Sequence, residues 1–301
     1  MKFRTECIPD PAGLRLSPEK PVICVGSCFA QNISQRMQSC QWDAANPLGV
    51  LFNPFSIQKA LELCIFNANA DEIFRKSLFR DREVYHSRLF DSSFSSYSED
   101  ECVAKFQKAQ RRLLECLHSG QTLIITFGTA YCYFHVDSPD EIVANCHKQP
   151  ESCFVRRRVR VEEITVKWDE FAPRLKERFP DLDIIFTVSP VRHVRDGLHE
   201  NNLSKATLLM AIDELCGKHD YCYYFPAYEL LNDDLRDYRF YGSDLVHPSD
   251  SAIEYIWEKF RDTYVDPEGI RLLKEGEKLT RRLAHRPILA QGNAKSKEVN
   301  A

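Results

Sequence analysis

Eleven glycines in 301 residues form no Gly-x-Gly-x-x-Gly and no Gly-x-x-x-x-Gly-Lys string. The backbone cradles that hold dinucleotides and nucleoside triphosphates are therefore missing. No Cys-x-x-Cys pair occurs among the 12 cysteines, which argues against a structural zinc site. The thiols are scattered, many inside apolar stretches, as reduced cysteines are in a reducing compartment. Apolar runs are too short to span a bilayer, and Met1-Lys2-Phe3-Arg4-Thr5-Glu6-Cys7 lacks the apolar core of a signal peptide. The chain is accordingly read as cytoplasmic, with no membrane span. Nor is there an excess of positive charge: 40 basic against 44 acidic residues give −4, so nothing advertises nucleic acid as a partner. No metal or organic cofactor is expected, and the oligomeric state is left open.

What is present is a core, since 44% of the residues are hydrophobic. Short apolar runs alternate with helical patterns: Val22–Val25, Thr122–Phe127, Asp183–Val188 and Tyr221–Phe225 read as strands. Helices are expected over 55–66, 99–118, 167–179, 202–217 and from Pro248 to about Thr263. Residues 67–98 read as an irregular surface insertion, and 47–54 as a short strand or loop between two Asn-Pro turn signals. Such alternation predicts an α/β fold in which a parallel sheet is flanked by helices. One domain over 1–265 is the simpler count, followed by a charged helix and a disordered polar tail over 266–301.

Polar residues just beyond each strand converge on one crevice in such folds. The first such turn is Gly26-Ser27-Cys28, where two potential nucleophiles precede a helix whose free N–H groups favour an oxyanion or a thiolate. Gly128-Thr129-Ala130 and Ser189-Pro190-Val191-Arg192-His193 follow later strands. Asp244 and His247, three apart before the last compact helix, can supply a base and its orienting carboxylate. Alternatively Asp244 serves a turn and His247 is incidental. Arg192 either grips a substrate carboxylate or phosphate or pairs internally with an acid such as Asp196. His147-Lys148 and Tyr238-Arg239 are weaker candidates. The run Arg156-Arg157-Arg158-Val159-Arg160 lacks interleaved aromatics and reads as a solvated edge strand.

The order of these features, a nucleophile turn early and Asp-x-x-His late, matches the SGNH (GDSL-type) hydrolases. Over residues 20–262 the sequence more closely resembles the GSCFA family, whose name is Gly26-Ser27-Cys28-Phe29-Ala30 itself. Pro47–Pro54, Gly128-Thr129-Ala130, Asn145-Cys146-His147-Lys148, Ser189–His193, Ser204-Lys205-Ala206, Tyr224–Glu229, Leu235–Tyr241 and His247-Pro248 carry the resemblance. It implies a three-layer SGNH-like (flavodoxin-like) α/β fold. The resemblance names no substrate; with the chain order and strand-end placement, the reading is a hydrolase or acyltransferase acting on an ester or thioester, its acyl substrate a small molecule or glycan. In the SGNH register Ser27 takes the aspartate position and Cys28 the nucleophile position, which places Cys28 ahead of Ser27, with Ser27 free to cap the helix. Gly49 would supply an oxyanion N–H. Gly128-Thr129-Ala130 has no asparagine where the superfamily has one, so Asn145 or the Thr129 hydroxyl would have to replace it. The alternative is a binding or scaffold module that kept the fold without the chemistry.

Overall fold

The computed structural model describes residues 4–284. The chain runs β1 (Val22–Gly26), α1 (Cys28–Ser39), β2 (Ala44–Ala45), α2 (Pro54–Phe66), α3 (Ala70–Lys76), β3 (Leu78–Asp81), β4 (Val84–Ser87) and α4 (Glu99–Ser119). It continues through β5 (Thr122–Phe127), β6 (Tyr131–His135), β7 (Ser138–Val143), β8 (Phe154–Arg158), α5 (Val161–Arg178), β9 (Asp183–Val188) and α6 (Leu198–Lys218). The last elements are β10 (Cys222–Phe225), the short α7 (Ala227–Glu229), α8 (Asp250–Tyr264) and α9 (Pro267–Ala284).

Five strands form an all-parallel sheet in the order β10-β9-β5-β1-β2. Successive side chains point to opposite faces, and the core divides accordingly. Ile23, Val25, Leu123, Ile125, Ile184 and Phe186 join the cluster that buries α2, α4, α5 and α6. Val22, Cys24, Ile124 and Ile185 join the one that buries α1, α8 and Leu273 of α9. This is the expected α/β fold with helices on both faces. The strand order reverses between β1 and β5, and in open parallel sheets ligands bind beyond the strand ends at such a reversal.

Close approach of β1 to β5 explains the glycine at the end of β1. Gly26 has φ +136°, and a Cβ there would run into the Thr126 carbonyl. Residues 47–54 are a loop rather than a strand, touching the sheet through one Gly26–Val50 bridge. The 67–98 stretch departs further from the expected irregular insertion. It contains α3 and the β3–β4 hairpin, and Phe74, Phe90 and Phe94 are buried against Phe106 of α4. Stacked aromatics, hard to distinguish from a surface cluster without partners, join this segment to the main core on that face of the sheet. Residues 131–158 form a small antiparallel sheet, β7-β6-β8, above the end of β5. Arg156–Arg158 lie on its edge strand.

The helix expected after residue 266 is α9, docked on α1 through an Arg36–Glu277 ion pair at 2.9 Å and buried Leu273. The polar tail expected beyond it lies outside the described residues. All 12 cysteines are free thiols. Among the described residues, no helix is long and apolar enough to cross a membrane.

Candidate active site

Helix α1 begins directly at the strand turn because Ser27, in extended conformation, caps it. Its Oγ accepts the Phe29 N–H at 3.3 Å. Ser27 is fully buried, whereas Cys28 is half-buried at the first helical position. Burial pushes the Cys28 thiol up; the N–H groups of Phe29 and Cys28 and the charge of Lys205 pull it partly back. The thiol is therefore not a standing thiolate and needs a base to ionise it. Replacing a serine cap costs about 1 kcal/mol. Ser27→Ala should lower urea stability by about that much, while Cys28 stays open to iodoacetamide.

Beneath this turn lies Lys205, the lysine of Ser204-Lys205-Ala206, whose role its sequence does not announce. Lys205, 1% exposed, donates from Nζ to the carbonyls of Gly128 (2.6 Å) and Ser189 (2.7 Å), joining the ends of β5 and β9. Burial pushes its ammonium down to about 7, opposed by Cys28. Two neighbours on α6 complete the clamp. Ser204 Oγ accepts the Ala130 N–H at 2.8 Å and contacts Thr129 Oγ1, and Asn201 Oδ1 accepts the His193 N–H at 2.9 Å. Asn201, Ser204 and Lys205 share the helix face that Leu208, Ile212 and Leu215 continue into the core. The available signal was a lysine placed in register with an apolar stripe.

The Gly128 N–H is not available to a ligand. That group donates to the Phe52 carbonyl at 2.7 Å, and the Thr129 N–H does likewise at 3.0 Å. The Thr129 hydroxyl is engaged by Ser204 and the Tyr131 N–H. Gly49 turns at φ +68°, with the Asp91 carboxylate where a Cβ would stand; the same carboxylate holds the Val50 N–H at 2.7 Å.

His193 stands over this floor. A Cβ on Gly128 would lie 3.4 Å from His193 Nε2 and 3.3 Å from the Ser27 Cβ, so ring and turn border one point. Phe52 meets the ring edge-on at 5.8 Å, and Nε2 is buried without a hydrogen-bond partner among the described residues. Burial first, then the charges of Lys205 and His247, push the imidazole down to about 3, so it is neutral at working pH.

Asp244 and His247 are paired as their spacing suggests. His247 Nδ1 and Asp244 Oδ2 are 2.6 Å apart, and both side chains are about half exposed. The other carboxylate oxygen accepts the N–H groups of Val246 and His247. These backbone donors, with the His247 ring, hold the Asp244 carboxyl down at about 2. The loop is tied to the β9 end by the Arg192 N–H donating to the Val246 carbonyl at 3.2 Å. Among the described residues, His247 makes no hydrogen bond to Cys28 or Ser27.

Thr129, Asn145, Arg192 and His193 border a cavity of about 460 Å³ together with Phe52, Tyr133 and Arg156. Asn145 Oδ1 accepts the His147 N–H at 2.8 Å. His147 is not in this cavity. Its buried ring stacks on His86, and Nε2 faces the carbonyls of Ser87 and Phe90 at 2.8 and 3.1 Å, which ties down that segment. Arg156, read as part of a solvated strand, instead turns into the cavity and lies 4.0 Å over Tyr131. Alternation along β8 puts Arg156 on one face and Arg157, paired with Glu163 at 2.7 Å, on the other.

The sequence matches the model of the GSCFA family over residues 21–260. No curated protein matches it.

Proposed function

The chain belongs to the GSCFA family, and we propose that it is an SGNH-like hydrolase or acyltransferase acting on an ester or thioester, with Cys28 as nucleophile. The observation that carries the reading is the Asp244–His247 pair. The carboxylate occupies Nδ1, leaving Nε2 as the basic nitrogen, on a loop bonded to the strand end that carries His193. In the proposed reaction substrate draws His247 Nε2 to the Cys28 thiol, a contact that often tightens only on binding. The imidazole takes the thiol proton as sulfur attacks the acyl carbonyl. The resulting imidazolium gives that proton to the departing alkoxide or thiolate, leaving an acyl-thioester on Cys28. Water or an acceptor hydroxyl, deprotonated by the same imidazole, then releases the acyl group and restores the thiol.

The oxyanion needs donors, and losing one typically costs about 2.7–4 kcal/mol of barrier. The N–H groups of Cys28 and Gly49, joined by neutral His193 as its Nε2–H tautomer, are the groups we assign to it. The partnerless Nε2 favours this role, because a buried polar nitrogen without a partner is costly unless something else uses it.

Mixing the full chain with p-nitrophenyl acetate should give a burst of nitrophenolate, with acetyl found on Cys28 by mass spectrometry and no burst in Cys28→Ala. Label on neither Cys28 nor Ser27, with Cys28→Ala reacting like the native protein, sinks the reading. A non-catalytic binding module would then be left, which the upward push on the Cys28 thiol favours.

A further inference from the structure

Three arginines reach the 460 Å³ cavity, and two are neutralised there. Arg156 makes a two-pronged pair with Asp196 at 2.8 and 2.6 Å, and Arg195 pairs with Glu151. Arg192 differs. Among the described residues no acid pairs with it, and the acid expected for it, Asp196, belongs to Arg156. Its partners are neutral: the Tyr238 hydroxyl at 3.5 Å, the Tyr241 hydroxyl, and two aromatic faces, Tyr238 at 5.3 Å and Tyr241 at 4.2 Å. Stacking of this kind fixes the plane of a guanidinium and leaves N–H edges free for a planar or tetrahedral oxyanion. The Arg192 backbone is bonded to Val246, next to His247, so the residue sits on the segment that ties the proposed base to the β9 end.

We propose that Arg192 anchors a carboxylate or phosphate borne by the substrate, so that the acyl donor or the acceptor is a small anionic molecule. The uncharged part would rest against Phe52 and Tyr133, which border the same cavity. This assignment rests on the acyl-transfer reading for its place in a reaction, but anion binding does not.

Calorimetry of the full chain with methyl phosphate and with propionate tests the anchor. At least one should bind at a single site, weakened about tenfold or more in Arg192→Gln, the size of one charge-assisted hydrogen-bonded contact. Whichever anion binds identifies the group, and urea unfolding confirms that the variant is folded. Binding of neither anion, or equal binding by native protein and Arg192→Gln, overturns the proposal. A second arm offers the acetyl thioesters of N-acetylcysteamine (neutral) and 3-mercaptopropionate (anionic). The native protein should prefer the anionic one, and Arg192→Gln should lose that preference about tenfold. If neither thioester acylates the native protein, the acyl-transfer reading fails while the calorimetry still decides the anchor.

Discussion

Lys205→Met lowers the free energy of unfolding in urea, and the loss widens as pH rises from 7 to 10. Two opposing effects set its size. Methionine leaves the Gly128 and Ser189 carbonyls without their buried donor, at about 1–3 kcal/mol each. It also removes the cost of burying an ammonium, which is greatest where the lysine is charged in the folded protein. The folded pKa of Lys205, about 7, lies below its ordinary value of 10.5. Between those limits the unfolded chain holds a proton that the folded chain has lost, so this group makes stability rise with pH. Each pH unit in the window is worth up to about 1.4 kcal/mol. Near pH 7 the two effects oppose and the variant is only modestly weakened. Near pH 10 the carbonyl loss stands almost alone, at about 2–6 kcal/mol.

Buried thiols act in the reverse sense over the same range. Cys24, Cys64 and Cys216 are each pushed up to about 12 by burial, so the unfolded chain loses those protons first and stability falls as pH rises. The diagnostic quantity is the native-minus-variant difference at each pH, in which these thiols cancel. A gap that stays flat or narrows toward pH 10 removes the buried-cation account of Lys205. Lys205→Gln, which keeps a donor for one carbonyl, should fall between the two proteins.

Lys205 also marks how far the sequence could be read. The parallel sheet was legible because β1, β5 and β9 are short apolar runs, buried on both faces and bounded by polar turns. The capping of α1 by Ser27 and the Asp244–His247 pair depend on neighbours two or three residues apart, the range at which sequence fixes geometry. Contacts across the fold were not legible. A lysine in a helix ordinarily reads as solvated, and only the carbonyls of Gly128 and Ser189, 77 and 16 residues away, give it a buried place. Nothing near Gly128 in the sequence announces that the Phe52 carbonyl takes its N–H. His147 reads as a weak candidate for substrate contact until two carbonyls from residues 87 and 90 close on its ring.

Asp244→Asn leaves stability nearly unchanged and lowers kcat for acyl transfer by roughly 10³–10⁴-fold, the loss expected where a carboxylate orients a catalytic imidazole. Half exposure of both partners underlies the first half of that statement, because solvated ion pairs contribute little to folding. The second half follows from the hydrogen bonds. Asparagine can still accept the Val246 and His247 N–H groups through its carbonyl, so the loop should keep its shape. It cannot balance the charge of an imidazolium, and its NH₂ facing Nδ1 would move the ring proton to Nε2, where the base must be free. The Asp244 carboxyl is held at about 2, so the native orienting charge should persist well below pH 4. Its stability contribution is present above the ordinary carboxylate range and fades only as pH falls toward 2. His247→Ala should abolish the burst with p-nitrophenyl acetate, whereas Asp244→Asn should slow it and leave the final label on Cys28 unchanged. A native-like burst in both variants, with unfolding curves matching the native protein, would remove this pair from the chemistry.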